Sequence, residues 1–313
     1  MSNFLARWRS PARQLTSVVI RPLEMFIHRF LSSALKVSLV RRPYRCMSSN
    51  DSNRLHSFGT RENEPLYEAT IRSIESLSPS VKQFHLSVDD PSNSFRFHSG
   101  MFLDFYFPPS ITPIVTGFSI CNTPLDYSKT NLIELAIKRT DYPPTKHMFD
   151  HSRVNEKIFV RPGGNFFYQS AATKDDSILL LCAGIGANPI VSILRHLLDL
   201  HQTGSSPTMP HRVEFLYTAA TATDLVFRSS IDVSCQSMIR DNVLQVHYFV
   251  TREMNNDADT NNRRLNETDL TRAIEWLGKP TTAYLCGPPS FIHWAENVLA
   301  ALNVKRIFYE KWW

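Results

Sequence analysis

Two glycines separated by one residue follow an apolar run near the middle of the chain, and this spacing could serve phosphate chemistry. The segment reads Gly184-Ile185-Gly186-Ala187-Asn188-Pro189. Glycine tolerates positive φ and lets a ligand approach the main chain without a Cβ in the way. We expect Asn188 to cap the following helix and Pro189 to take its first position. The N–H groups and the positive end of that helix favour a phosphate or pyrophosphate at this turn.

A second turn of this kind ends the last predicted strand, and it reads Cys286-Gly287-Pro288-Pro289. Ligands of open α/β sheets bind at the carboxyl ends of the strands, where two such turns enclose a crevice. Each turn alone has a plainer interpretation, because strand–helix turns often use glycine for geometry and free cysteine is often buried in a core. Together, on one sheet edge, they favour a nucleotide site.

Residues 173–313 alternate between strand and helix patterns. The run SILLLCA is continuously apolar, which is typical of a strand buried on both faces. The strand candidates RVEFLYTA, LQVHYFV and TAYLCG follow, separated by helical patterns. This alternation predicts a doubly wound parallel sheet. The segments 204–210 and 255–264 are predicted surface loops.

Residues 65–172 consist of short runs that alternate between apolar and polar residues. The six strand candidates are LYEATIRSI, VKQFHLSV, MFLDFYF, IVTGFSIC, LIELAIKR and KIFVRP. They predict a small antiparallel barrel, whose closure removes exposed sheet edges. One short helix fits TKHMFDHS, directly after Pro143-Pro144. The polar segment 48–64 is a predicted linker.

The composition is that of a globular protein, since 42% of the 313 residues are hydrophobic and 20% are charged. The formal net charge is +5, but residues 1–47 hold nine Lys or Arg and one acid. The remaining 25 basic and 28 acidic residues give a net charge of −3, which argues against nucleic-acid binding. The five cysteines lack zinc or iron–sulfur spacing, so we expect reduced thiols and no metal site.

The A-G-x-G-x-x-P turn and the later C-G-P-P turn resemble those of the ferredoxin–NADP reductase superfamily, and the resemblance covers roughly residues 65–313. The fourth barrel strand of that superfamily carries R-x-[YF]-S, and here it reads Thr116-Gly117-Phe118-Ser119. The C-terminal FYEKWW also resembles the superfamily's terminal aromatic segment. The resemblance implies an N-terminal six-stranded antiparallel flavin-binding barrel and a doubly wound nucleotide-binding α/β domain.

The resemblance also implies that the barrel binds FAD and that the glycine turns bind NAD(P)H, with the nicotinamide beside Cys286. Phe118 and Trp312 would flank the flavin. Ser119, Cys286 and Glu310 would be the catalytic positions, as groups that orient the reactants, because the cofactors carry the chemistry. The further cofactor contacts that the resemblance implies are Thr116, Thr145, Gly163, Gly164, Gly287, Pro288 and the segment Gly184–Pro189.

Two positions depart from the superfamily pattern. Thr116 stands where the superfamily has arginine, so a bidentate partner for the flavin pyrophosphate is missing. Lys138 or Arg139, at the end of the fifth strand candidate, could replace that charge. Tyr142 stands in place of a glycine in the motif to which Thr145 belongs, and Thr145 has an equally plain interpretation as a helix cap.

The segment after the second parallel strand bears on the choice of nucleotide. Residues 217–224 contain no Lys or Arg. A 2′-phosphate would lack a charged partner there, which favours NADH over NADPH.

The sequence therefore predicts a flavin-dependent NAD(P)H oxidoreductase that passes electrons to a separate, unidentified acceptor, with a second protein as one candidate. No iron–sulfur, haem or flavodoxin module accompanies it in the chain, and no transmembrane segment is expected. The alternative is a catalytically weak nucleotide-binding or assembly protein that keeps the reductase fold without firm flavin binding. Thr116 supports this alternative.

Residues 1–47 are rich in Arg, contain several Ser and hold one acid, which predicts a mitochondrial transit peptide. A disordered basic tail and a translation start at Met47 are the alternatives. We expect the mature protein in mitochondria to lack residues 1 to about 47. N-terminal sequencing of the endogenous protein checks this, and an intact Met1 or a cytosolic distribution would contradict it.

Overall fold

The computed structural model describes residues 65–112, 115–169, 176–204, 209–254, 257–278 and 280–311. The predicted transit peptide, the predicted linker and Trp312 lie outside the described residues. The predicted domain boundary at 172/173 also falls outside them, between residues 169 and 176, and stays a prediction. Both sheets described below belong to one compact unit.

The first sheet is antiparallel, as the alternating runs predict. Its strands are β1 (Tyr67–Ser78), β2 (Val81–Asp89), β3 (Phe102–Tyr106), β4 (Thr116–Ser119), β5 (Leu132–Lys138) and β6 (Lys157–Gly163), in the spatial order β4-β3-β6-β1-β2-β5. An isolated antiparallel bridge joins Ile120, after β4, to Leu135 of β5. The N–H of Cys121 also donates to the carbonyl of Glu134 at 2.8 Å. These contacts connect the two end strands and close the barrel.

The barrel core consists of side chains from alternate strand positions. Ile71 of β1, Phe84 and Leu86 of β2, and Leu103 and Phe105 of β3 are fully buried in one cluster. Burial of each such side chain contributes about 1.5–3 kcal/mol to the free energy of unfolding. The period of two in the sequence is therefore what fixes which face of each strand points inward.

Two short helices lie in the connections of the barrel, α1 (Pro124–Thr130) and α2 (Pro143–Asp150). α2 starts two residues before the segment predicted for it. α1 is an additional helix that begins with a capping box, in which the side chains of Thr123 and Asp126 each accept from the main-chain N–H of the other at 3.1 and 3.4 Å. A threonine three residues before an acid is the sequence signal for this helix start.

The second sheet is entirely parallel, as predicted. Its strands are β7 (Ser177–Ala183), β8 (Val213–Ala219), β9 (Leu244–Val250), β10 (Thr260–Asn261), β11 (Thr281–Gly287) and β12 (Arg306–Lys311), in the spatial order β10-β9-β8-β7-β11-β12. The chain winds outward from β7 to β9 and then returns to the other side of β7 at β11. β7 and β11 therefore flank the switch point where ligands of such sheets bind. Both glycine turns lie at this point.

Helices cover both faces of the parallel sheet. They are α3 (Ala187–Thr203), α4 (Arg228–Ser234), α5 (Gln236–Arg240), α6 (Glu267–Leu277) and α7 (Pro289–Ala301). Along β7, Leu180 and Cys182 pack in the cluster that includes α3, whereas Leu179 and Leu181 pack in the cluster that includes α6 and α7. Every residue of β7 is buried, so the continuous apolar run does mark a strand covered on both faces.

Three segments differ from the sequence-based expectations. Residues 306–311 form the edge strand β12, and the predicted loop 255–264 contains the two-residue strand β10. One of the helical patterns between the strand candidates, DLVFRSSI at residues 224–231, predicts a single helix there, but the structure has a 3-10 turn (Ala222–Asp224) followed by α4. The Asp224 carboxylate accepts from Thr221 and from Ser80 of the barrel, at 3.1 and 3.3 Å, which holds the turn apart from α4. Contacts between distant segments thus override the local helical pattern.

No helix within the described ranges is long and apolar enough to cross a membrane. The described residues also contain no group of three or more His, Cys, Asp or Glu side chains that could hold a metal ion. The four cysteines in the described part of the chain are buried and form no disulfide. Burial raises the pKa of the Cys182 thiol well above its ordinary value, so this thiol is protonated and unreactive.

Candidate nucleotide and flavin site

The first glycine turn leaves room beside its main chain. Gly184–Gly186 forms a single 3-10 turn after β7, and α3 begins at Ala187. Gly184 has a φ of +56°, and a Cβ added there would meet no atom within 4 Å. No side chain caps the start of α3 in the described part of the chain. An anion can therefore approach the main chain of the 3-10 turn and the positive end of α3, whereas the Ala187 N–H already donates to the carbonyls of Gly184 and Ile185 and Pro189 has no N–H.

Asn188 does not cap α3, so this prediction is wrong. The 3-10 turn is already helical, and α3 therefore starts one residue before Asn188 and places Pro189 third rather than first. The Asn188 side chain is 6% exposed and donates from Nδ2 to the carbonyl oxygen of Ala136 on β5, at 2.7 Å. Asn188 thus connects the turn to the barrel, and its contact with a cofactor stays a prediction.

The two glycine turns touch each other through their main chains. A Cβ on Gly186 would lie 2.7 Å from the carbonyl group of Cys286 and from the nitrogen of Gly287. A Cβ on Gly287 would lie 2.9 Å from the Cβ of Ala183, at the end of β7. Gly186 and Gly287 are therefore needed for packing between β7 and β11, whereas Gly184 is needed for its positive φ.

The other predicted residues of the two turns differ in exposure. Ile185 is half-buried, Ala187 and Pro189 are buried, and Pro288 is exposed at the start of α7. A ligand in this crevice can thus reach the side chains of Ile185 and Pro288 directly. Ala187 and Pro189 can contribute only through the main chain or through packing.

The structure brings the three predicted catalytic residues together. Ser119, at the end of β4, donates from Oγ to Oε2 of Glu310 on β12 at 3.4 Å. Glu310 lies directly opposite Cys286 of β11 in the parallel ladder. Ser119 and Glu310 are 6% and 8% exposed, and Cys286 is fully buried. A hydroxyl–carboxylate pair therefore joins the barrel to the parallel sheet beside the second glycine turn, while the catalytic roles of the three residues stay predictions.

The remaining predicted flavin contacts of β4 lie on its inner side. The Phe118 ring packs edge-to-face against Phe105, with 4.8 Å between the ring centroids. Two residues earlier, the Thr116 hydroxyl lies 3.1 Å from the hydroxyl of Tyr142. The two residues that depart from the superfamily pattern are thus in contact, and they offer neutral hydroxyls rather than a positive charge.

Lys138 and Arg139, the two candidate replacements for that charge, are both paired with acids. Lys138 Nζ lies 3.8 Å from Asp224 Oδ1. Arg139 binds Asp150 through Nε and Nη2 at 2.9 and 3.1 Å. The hydrogen bond and charge of Arg139 hold the pKa of Asp150 below its ordinary value, so this pair is ionised at neutral pH.

Thr145 is held within its own turn. Its hydroxyl donates to the carbonyl of Tyr142 at 2.9 Å and pairs with the hydroxyl of Thr140 at 2.5 Å. Pro143 and Pro144 fill the first two positions of α2 and have no N–H to offer an anion. The local structural interpretation of Thr145 therefore has more direct support than the phosphate contact, which stays a prediction.

Gly163 and Gly164 end β6 and pack against one aromatic ring. A Cβ on Gly163 would lie 3.1 Å from the ring of Phe102, and a Cβ on Gly164 would lie 2.8 Å from the same ring. Gly164 also has a φ of +103°. Both glycines are therefore required by the close approach of Phe102, whether or not a flavin contacts them.

Comparison with known proteins supports a nucleotide-binding domain that contains the two glycine turns. Residues 180–297, which include both glycine turns, match the oxidoreductase NAD-binding domain. A protein from Danio rerio, oxidoreductase NAD-binding domain-containing protein 1, is 33% identical over 257 residues, which cover 79% of this chain and 92% of the relative.

The chain belongs to the oxidoreductase NAD-binding domain-containing protein 1 family.

Solved reductase structures share the fold of this family member. The ferredoxin NADP⁺ reductase from Neisseria gonorrhoeae with bound FAD and NADP superposes with a TM-score of 0.60 at 18% identity, over 79% of this chain and 98% of that one. The CS-b5R domains of human Ncb5or, in the NAD⁺ form, superpose with a TM-score of 0.62 at 18% identity, over 87% and 83% of the two chains. These likenesses confirm the predicted architecture, a reductase-type barrel followed by a nucleotide-binding α/β unit.

A polar stripe runs along α3 of this family member, and all of its residues except Asn188 are absent from the predicted site. Its residues are Asn188, Ser192, Arg195 and Asp199, and they are spaced so that they share one side of the helix. All four bond to the barrel. Polar residues at i, i+4, i+7 and i+11 of a helix whose first half is mainly apolar are a usable signal, but such a stripe more often faces solvent.

Glu253 is a further residue that the sequence does not predict as part of the site. Its Oε1 accepts from the N–H of Ala222 at 2.5 Å, and the N–H of Arg252 donates to the carbonyl of Ala220 at 2.9 Å. A carboxylate and an exposed arginine therefore lie beside the segment after β8, although that segment has no basic residue of its own. No local pattern predicts this, because parallel strands bring together segments that are distant in sequence.

The two glycines of the first turn should respond differently to alanine. Gly184→Ala and Gly204→Ala both place a Cβ at positive φ in open space, at opposite ends of α3, so each should lower the free energy of unfolding by about 1 kcal/mol. Only Gly184→Ala should weaken NAD⁺ binding in calorimetric titration, because only its Cβ occupies the space beside the turn. Equal NAD⁺ affinity in the two variants would contradict this assignment.

Gly186→Ala should mainly affect folding. Its Cβ would press on the main chain at Cys286 and Gly287, and overpacking of this kind costs about 1–3 kcal/mol. Urea unfolding without nucleotide measures the loss, and a wild-type midpoint would show that the two turns are not in contact.

Proposed function

We propose that the chain is a flavin-dependent NAD(P)H oxidoreductase that transfers a hydride from the reduced nicotinamide to FAD and passes electrons to an acceptor outside the chain. The main support is the 3.4 Å contact between Ser119 Oγ and Glu310 Oε2, because it brings β4 of the barrel to the carboxyl edge of the parallel sheet. A flavin held against β4 and a nicotinamide held at the glycine turns would then share one crevice.

The first glycine turn fits the pyrophosphate of a nicotinamide dinucleotide. The open space beside Gly184 exposes the main chain of the 3-10 turn, and this turn lies at the positive end of a 17-residue helix. Cys286 and Gly287 would hold the nicotinamide end, since their main chain is fixed against Gly186. Hydride transfer depends mainly on such near-contact placement of the reactants.

Ser119 and Glu310 can handle a proton on the flavin side. The Ser119 hydroxyl donates to Glu310 Oε2, so Ser119 Oγ keeps lone pairs that could accept a hydrogen bond from an N–H of the reduced flavin. When electrons leave for the acceptor, Ser119 Oγ could take the proton of that N–H as its own proton moves to Glu310. When bound, FAD supplies the exchange between hydride and single-electron chemistry. The low exposure of both residues keeps water from the transfer path.

The structure also supports the rival function, a catalytically weak nucleotide-binding or assembly protein. The Thr116–Tyr142 pair offers neutral hydroxyls, and both nearby cations are already paired with carboxylates. A flavin pyrophosphate would therefore have weak electrostatic support on this side of the barrel. The glycine turns fit a dinucleotide under either function.

We infer that NADH is preferred over NADPH. The Glu253 carboxylate is fixed by the N–H of Ala222 at the carboxyl end of β8, where dinucleotide folds read the adenosine ribose. A carboxylate there can accept from the 2′-hydroxyl and repels a 2′-phosphate. Arg252 is the competing charge, because an exposed guanidinium beside the same segment would attract a 2′-phosphate.

A mitochondrial location remains part of the proposed function and rests on the composition of residues 1–47.

Flavin titration separates the two functions. Thr116→Arg should tighten FAD by about 1.5–3 kcal/mol, or roughly ten- to a hundredfold, because a charged hydrogen-bond donor replaces a neutral one. Flavin fluorescence measures the affinity of apo-protein for FAD. If the wild type binds FAD firmly and Tyr142→Phe weakens it, the hydroxyl pair holds the flavin and the oxidoreductase is supported.

The matched control is Tyr67→Phe, which removes another barrel hydroxyl, bonded to Ser94 at 3.0 Å, and should leave FAD affinity unchanged. Lys138→Ala and Arg139→Ala should also have little effect, since both cations are paired with acids. A nearly flavin-free wild type whose binding is restored by Thr116→Arg would favour the weak-binder function. Absence of FAD binding in every variant would rule out a flavoenzyme.

Glu253→Gln should reduce the preference of the protein for NADH over NADPH. Removal of one exposed negative charge should raise the affinity for NADP⁺ about fivefold relative to NAD⁺, as expected for the loss of one screened repulsion near 1 kcal/mol. Calorimetric titration at low and high salt measures both affinities, and the difference should shrink with salt. Arg252→Ala is the comparison variant, and a loss of NADP⁺ affinity only in that variant would assign the ribose site to Arg252 instead.

A further inference from the structure

The barrel and the parallel sheet are joined by the polar stripe of α3, formed by Asn188, Ser192, Arg195 and Asp199. Each stripe residue makes a hydrogen bond to the barrel. Hydrogen bonds fix direction as well as distance, whereas an apolar contact between two packed layers allows small sliding movements. A polar seam of this kind therefore defines one relative placement of the two parts.

The first half of the stripe bonds to main-chain groups of the barrel. Asn188 Nδ2 donates to the carbonyl of Ala136 at 2.7 Å, and Ser192 Oγ donates to the carbonyl of Asn122 at 2.7 Å. Ser192 Oγ also accepts from the N–H of Gly100 at 3.3 Å, so one fully buried hydroxyl connects two barrel segments to α3.

The second half of the stripe is charged. Arg195 Nη1 donates to the carbonyl of Cys121 at 3.1 Å and to Oε1 of Glu134 at 2.8 Å. The hydroxyl of Thr123 donates to Oδ2 of Asp199 at 2.6 Å. Burial opposes the charge of Arg195, but the neighbouring Glu134 carboxylate outweighs it and raises the pKa of the guanidinium. The Arg195 guanidinium is therefore always protonated.

The barrel groups that receive these bonds continue directly from the strand proposed to face the flavin. Residues 121–123 follow β4 within four residues of Ser119, and Glu134 and Ala136 belong to β5, which closes the barrel beside β4. At its other end, α3 begins in the Gly184–Gly186 turn. A helix behaves as a stiff rod over this length, so the stripe connects the nucleotide turn to the flavin strand.

We propose that the α3 polar stripe sets the distance between the bound nicotinamide and the flavin, so that Asn188, Ser192, Arg195 and Asp199 are positioning residues for hydride transfer. This inference rests on the proposed function. A misplacement of about 1 Å between reacting groups can lower a rate about a hundredfold without a change in the binding of either reactant. A weakened stripe should therefore slow the transfer step and leave both cofactor affinities in place.

The test compares two serine-to-alanine substitutions, one inside the α3 polar stripe and one outside it. Ser192→Ala removes a buried hydroxyl that donates to a barrel carbonyl, and Ser177→Ala removes a buried hydroxyl that donates to the carbonyl of Leu277 at 2.8 Å, within the parallel-sheet part. Urea unfolding measures the stability of both variants. Stopped-flow absorbance measures flavin reduction by saturating NADH in the FAD-loaded protein, and separate titrations measure the affinities for FAD and NAD⁺.

Ser192→Ala should reduce the rate of flavin reduction by about tenfold or more while both dissociation constants change less than about threefold. Ser177→Ala should lose stability without slowing the reduction. Asp199→Asn should keep the wild-type rate and Asp199→Ala should not, because an amide oxygen can still accept from Thr123. Equal rates in Ser192→Ala and Ser177→Ala would overturn the positioning role.

Hydrogen exchange of the unliganded protein gives a readout that does not depend on any activity. In Ser192→Ala, exchange should accelerate both in residues 121–123 and in the Gly184–Gly186 turn, whereas Ser177→Ala should accelerate neither. If the wild type is not reduced by NADH, the proposed function fails and this measurement still decides whether the stripe couples the two parts. Acceleration confined to the immediate surroundings of residue 192 would overturn the coupling.

Discussion

The close approach of Gly186 to the main chain of Cys286 and Gly287 is the constraint on which the site depends. β7 and β11 are adjacent parallel strands, and the turn after β7 must cross the end of β11 before α3 can begin. A Cβ on Gly186 would lie 2.7 Å from main-chain atoms that cannot rotate away. The absence of a side chain there allows the two turns to form one crevice, and the helix start and the end of β11 then face the same ligand.

Because of this constraint, the two glycines of the G-x-G segment have different roles. Gly184 has a positive φ and open space around it, so its backbone faces the ligand side. Gly186 has an ordinary helical conformation and serves packing between strands. A motif that is usually interpreted as one phosphate-binding unit therefore contains an open position, where we propose that the ligand lies, and a structural position, and a substitution at each tests a different property.

Most of the fold follows from the period of the sequence, because each strand and helix is stabilised by a face that the local pattern reveals. The continuous apolar run of β7 and the alternation in the barrel strands both predict their own burial. What the pattern does not reveal is a group whose partner comes from a distant segment. Asn188 has the sequence context of a helix cap, yet it bonds to Ala136 of the barrel. Likewise, Glu253 acquires its place beside β8 only through the pairing of β8 with β9.

The two ends of the crevice use different physical means to hold their ligands. At the nucleotide end, main-chain N–H groups and the start of α3 supply fixed partial charges that need no basic side chain.

At the barrel end, the superfamily's arginine is replaced by the Thr116–Tyr142 hydroxyl pair, and the neighbouring Lys138 and Arg139 face acids. A neutral hydroxyl brings no positive charge to a phosphate and makes a single hydrogen bond, whereas an arginine brings a charge and binds the phosphate bidentately. Firm flavin binding would therefore depend on shape and ring contacts at β4 rather than on charge. The proposed nicotinamide site is built on main-chain geometry, and it would be preserved whether or not the flavin is held. The distinction between a reductase and a nucleotide-binding protein thus reduces to the barrel end alone.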